Sequence, residues 1–138
     1  MEFAQIFDLV EPDAGPAAPL DVSGLPGLWL NSNPHTNGIV HMVLSEADEK
    51  LSLQVFGLGP DGLIDWGVAE VKAYGSTPSS QVGAGFSCRF DFGFAESVLQ
   101  GMIMKGLLVL AELRTFKDDS GRADYFVREY FALEHKRY

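Results

Sequence analysis

Phe86, Cys88, Phe90 and Phe92 alternate with Ser87, Arg89 and Asp91. A period of two sends successive side chains to opposite faces of a strand, so the first set is assigned to a core or cavity and the second to water. The same signature recurs in pieces along the chain. Strands are predicted over Gly27–Asn31, Ile39–Ser45, Leu51–Leu58, Asp65–Tyr74, Ala84–Phe92, Val98–Met104, Leu107–Phe116 and Ala123–Glu134. Between them lies turn chemistry: Asn33–Gly38, Ser45–Lys50, Gly59–Gly62, Gly75–Ser80 and Asp118–Gly121. Lys105-Gly106 is a two-residue hairpin loop, since Gly accepts the positive φ that such turns require. Local turns build antiparallel sheet. The predicted fold is therefore all-β, an up-and-down antiparallel β-barrel of about eight strands with no long helix after Gly27. Closure would also remove the exposed edges of the sheet. A β-sandwich is the alternative.

The last two predicted strands depart from simple alternation. One face of Leu107–Phe116 carries Leu108, Leu110, Glu112, Arg114 and Phe116, and the other carries Leu107, Val109, Ala111, Leu113 and Thr115. In the final strand Phe126, Arg128, Tyr130 and Ala132 oppose Tyr125, Val127, Glu129, Phe131 and Leu133. Both faces are largely apolar, whereas a barrel wall facing water shows a polar row. Either the outer face is covered by another subunit or the charged row points inward at a ligand. The expectation is a homo-oligomer, a dimer, burying apolar residues of Leu107–Leu113 or of the final strand. Glu112 and Arg128 are expected on adjacent strands and on the same face.

The chain has 138 residues and 46% hydrophobic composition, which suits one domain with a real core. Residues 26–138 are assigned to the barrel. Residues 1–25 read as an N-terminal extension, with a short amphipathic helix over Phe3–Val10 and a breaker-rich linker over Glu11–Pro19. Such a segment is either a loose tail or a plug against one end of the barrel. The net charge of −9 argues against nucleic acid and anionic membranes as partners. One cysteine, Cys88, makes no internal disulfide, and no secretory signal is apparent, so a soluble, cytoplasmic protein is expected. Cys88 lies in an apolar row and reads as an inert buried thiol.

The histidines His35, His41 and His135 lie far apart, with no metal-binding spacing, and no phosphate loop or nucleophile elbow is present. No cofactor is implied. His41 alternates with Ile39 and Val43 and is expected to face the interior, where a carboxylate such as Glu112 or Glu129 would let it move protons. Trp66, between Asp65 and Gly67, reads as the wall or rim of a pocket, or as barrel core.

Gly27-Leu-Trp29-Leu-Asn31 resembles the Gly-x-Trp opening of the calycins, which include lipocalins, fatty-acid-binding proteins and avidins. The resemblance implies that Trp29 closes one end of a barrel and, by the avidin pattern Gly-x-Trp-x-Asn, that Asn31 contacts a ligand. Arg128-Glu-Tyr130 resembles the Arg-x-Tyr with which fatty-acid-binding proteins grip a carboxylate. A guanidinium fork and a phenol suit that task. The expected function is the binding of a small, largely apolar molecule, acidic or polar-headed, in the lumen. Its walls would be Trp66, Phe86, Phe90 and Phe92, with Arg128, Tyr130 and Arg114 orienting the head group. Two rivals are a cofactor-independent cyclase or isomerase, using His41, Glu112, Glu129 or Tyr130, and an acidic interaction or inhibitor domain.

Overall fold

The computed structural model describes residues 19–134. Eight strands follow one another in order: β1 (Gly27–Asn31), β2 (Ile39–Ala47), β3 (Lys50–Gly59), β4 (Gly62–Tyr74), β5 (Gly85–Asp91), β6 (Ala95–Met104), β7 (Leu107–Phe116) and β8 (Tyr125–Leu133). Each is antiparallel to its neighbours, and β8 pairs back onto β1 to close the barrel. All eight lie where alternation and turn signals predict them. A sandwich is excluded by that closing ladder. Among residues 19–134 there is no helix, hence none long and apolar enough to cross a membrane. The predicted Phe3–Val10 helix and His135 lie outside the described residues.

Tight turns set the registers. Lys105 and Gly106 both take positive φ, at 53° and 80°, as the two-residue hairpin requires. The β2–β3 turn is tighter than predicted. Asp48 and Glu49 alone make it, with φ of 52° and 66° and no glycine. Asp side chains tolerate the left-handed region better than most, which suits the first position.

Inward rows fill the lumen from one end. Met42 and Leu44 of β2, Leu53 and Val55 of β3, Leu99 of β6, Leu108 and Leu110 of β7 and Phe131 of β8 are all buried. Phe86, Cys88 and Phe90 face them from β5, while Arg89 and Asp91 are exposed, as the alternation predicts. Trp29 closes this end. It is 2% exposed, and its indole Nε1 donates to the Leu25 carbonyl at 3.0 Å. Leu25 is itself buried, in the same core cluster as Trp29. Burial of this order contributes ~1.5–3 kcal/mol per large apolar side chain. The closed half is thus packed solid, and the open apolar lumen expected from sequence is confined to the other end.

Candidate functional site

The opposite end stays open, at the β3–β4 hairpin, the β5–β6 turn and the start of β8. Side chains from Asn37 to Tyr125 line a cavity there of about 310 Å³. Its floor is polar. Glu112 and Arg114, two apart on β7, both point inward by the period of the strand, and β7 pairs with β6 so that Ser97 stands opposite Arg114. Glu112 is 4% exposed and Ser97 0%. The Ser97 hydroxyl donates to Glu112 Oε2 at 2.7 Å and accepts from Arg114 Nε at 2.9 Å. Nε also lies 3.2 Å from Glu112 Oε2. A buried carboxylate needs such partners, because desolvation of an unpaired charge costs several kcal/mol.

The walls are aromatic. The Arg114 guanidinium lies 5.0 Å from the Trp66 ring, 5.1 Å from Phe92 and 5.9 Å from Tyr125. Trp66 meets Phe90 and Phe92 edge-on, with centroids 5.7 and 5.2 Å away. Both polar contacts of Arg114, the hydrogen bond to Ser97 and the ion pair with Glu112, run through Nε. Among the described residues neither terminal Nη has a hydrogen-bond partner, so that edge of the fork borders the cavity. Burial, and next the negative charge of Glu112, push the Tyr125 hydroxyl above its ordinary pKa, so it stays a neutral donor at pH 7.

A β-bulge brings Trp66 into this wall. Register between β3 and β4 shifts between Gln54 and Phe56, and Gly67 takes φ of 92°. The one extra residue reverses the phase of β4, so that Trp66 joins the inward side above Ala69 and Val71. Its indole lies against the bare backbone of Gly57, where an added Cβ would sit 2.6 Å from Nε1. Asp65, by contrast, is tied outside to Gln54 at 3.0 Å.

The structure brings Trp66, Glu112 and Arg114 together, with Phe92. The other expected site residues stand elsewhere. Phe86 and Phe90 belong to the packed core, Phe86 at the closed half. Asn31 donates from Nδ2 to the Ile39 carbonyl at 2.8 Å and to Glu129, and its Oδ1 accepts from the Asn33 backbone. Thr36 completes that knot by donating to Glu129 at 2.8 Å. Asn31 and Glu129 therefore secure the β1–β2 connection. His41 is on the outer wall, stacked on Phe56 with ring centroids 4.5 Å apart. A register shift between Ile39 and His41 breaks the alternation that was expected to turn it inward.

Arg128 and Tyr130 also correct the expectation. Both stand on the exposed row of β8, Tyr130 at 49% exposure, so the carboxylate grip expected of them in the lumen has no geometry. The reason is register. Glu112 pairs with Val127, and Arg128 pairs with Ala111. A one-residue slip from the expected pairing moves every side chain to the other face, and the partner of Glu112 is Arg114 of its own strand.

Sequence reasoning missed Ser97, Phe94 and Tyr125. Ser97 sits in the alternation Ala95, Ser97, Leu99, Gly101, whose inward face was legible, but its meeting with Arg114 needs the β6–β7 register. Arg122 stacks on Phe116 at 4.3 Å and on Phe94 at 5.5 Å, which holds Phe94 at the rim. A larger surface depression, about 590 Å³ between Pro19–Asp21 and Pro78–Val82, gathers no comparable charged and aromatic groups. No family model matches the chain, and no curated protein or solved structure does so either.

Proposed function

We propose that the chain is a calycin-like barrel that binds a small molecule at its open end, through a compact polar or singly charged acidic head and a flat apolar body. The supporting observation is Arg114: a guanidinium anchored through Nε by Ser97 and Glu112, ringed by aromatic faces, with its Nη edge unpartnered among the described residues. That edge presents parallel N–H donors matched to a carboxylate or a carbonyl. Glu112 offsets the guanidinium charge, and the whole protein carries −9, so a polyanion is disfavoured and directional hydrogen bonding dominates. Trp66 and Phe92 supply the apolar contact. The cyclase or isomerase reading loses its principal base, since His41 lies outside the cavity. The same reading places the protein in the cytoplasm, which suits a single thiol, and as a homodimer through the apolar outer rows of β7 and β8.

Titration with phenylacetate, phenylacetamide and phenethylamine, followed by tryptophan fluorescence and calorimetry, tests the site. Phenylacetate or the amide is expected to perturb Trp66, and Arg114→Lys to weaken binding at least tenfold, because the planar fork is lost. Preference for the amine, or equal binding by the variant, would refute the reading.

A further inference from the structure

On the reading that the chain is a dimer, we infer that its two copies pack face to face about a two-fold axis running along β7, with Arg128 of each over Gln100 of the partner subunit. The outer rows of β6, β7 and β8 are apolar and bare. Met102, Met104, Leu107, Leu113, Phe126 and Tyr130 are all exposed, Phe126 at 60%. Within these three strands the outward charges are only Glu96, near the open end, and Arg128. The protein carries 19 Asp and Glu against 10 Lys and Arg, so two copies repel over most approaches. This wall, nearly free of carboxylates, is where they can meet.

Register fixes the symmetry. Across the sheet the outer rows read Met102–Val109–Tyr130, Gln100–Ala111–Arg128 and Val98–Leu113–Phe126. The central strand carries the small Val109 and Ala111, so two β7 strands can approach closely at an axis. An axis parallel to β7 lays β8 of one copy over β6 of the other. Tyr130 then meets Met102, Phe126 meets Val98, and Arg128 meets the Gln100 amide oxygen, each large group over a slimmer one. An axis across the strands would instead set Arg128 against its own copy, a like-charge contact on a desolvated face. The three outer rows span roughly 15 by 30 Å at strand spacings of ~4.8 Å, a footprint at the small, weakly associating end of specific interfaces.

Sedimentation velocity of the full chain at tens of micromolar is expected to show a dimer; a monomer would overturn the dimer itself. Val109→Lys places like charges beside the axis and is expected to give a monomer with an unchanged far-ultraviolet spectrum, and a folded variant that stays dimeric refutes the interface. Cross-linking with a short bis-maleimide, which spans the ~10 Å between facing sheets, reads the axis independently. Ala111→Cys should cross-link to its own copy. Gln100→Cys mixed with Arg128→Cys should give a cross-linked heterodimer, while neither does so alone. A dimer in which Arg128→Cys cross-links with itself, or in which none of these pairs does, overturns the axis while leaving the dimer standing.

Discussion

Replacing Arg114 by Met tests whether the polar floor of the cavity is held by its internal pairing. In the native protein Glu112 shares one oxygen between Arg114 Nε at 3.2 Å and the Ser97 hydroxyl at 2.7 Å, with side-chain exposures of 6% for Glu112 and 16% for Arg114. Breaking a buried pair from one side costs ~3–5 kcal/mol, because the remaining charge stays desolvated. Ser97 still donates to Glu112 and Arg114 is not fully dry, so the lower end applies, about 3 kcal/mol. Loss of the aromatic stacking lies within that figure at ~0.5–1 kcal/mol. Adding Glu112→Gln removes the stranded charge, so the double variant is expected to lose only about 1 kcal/mol. The coupling in favour of the pair is then about 2 kcal/mol plus whatever Glu112→Gln costs alone. Urea unfolding of the four proteins at pH 7 and at one protein concentration measures each term. The single variant should melt about 10 °C lower. If Arg114→Met costs less than about 1 kcal/mol, or if the double variant loses the sum of both singles, the floor is not a coupled buried pair.

Other outcomes follow from the same packing. Gly57→Ala should cost ~1–3 kcal/mol by overpacking and shift the Trp66 emission, because the new Cβ lies 2.6 Å from Nε1; unchanged emission would contradict the Trp66 wall. Cys88 should resist iodoacetamide in the native state and react on unfolding, since burial pushes its thiol up to about 12. Its raised value also means that native stability, fully present below the ordinary thiol value of 9.0, falls as pH rises from there toward 12. Cys88→Ala should flatten that part of the alkaline stability profile, and an identical slope in both proteins would count against it. The hydrogen bond from Lys117 holds Asp91 below the ordinary carboxylate value, so its stabilising contribution is present above 3.8 and is lost as pH falls through the lowered value. Lys117→Met should raise the Asp91 titration midpoint seen by carbon-detected NMR, and an unmoved midpoint would rule out that contact.

Alternation and turn chemistry determined the eight strands, their order and their antiparallel pairing, because both signals are local: a period of two assigns faces and a glycine at positive φ permits a hairpin. The inward row of β5 was legible for that reason, whereas the end-closing place of Trp29 was expected only from the resemblance of Gly27-Leu-Trp29 to the calycin opening. What only the tertiary structure decided is phase and register. One bulge in β2 turned His41 outward, and another in β4 turned Trp66 into the cavity wall. A one-residue difference across β7 and β8 put Arg128 on the outside and left Glu112 to Arg114 and Ser97. Each of these depends on how many residues two distant strands place against each other. That count is fixed by closure of the whole barrel and by core packing rather than by any local preference, so a single-residue change in it exchanges the inner and outer rows.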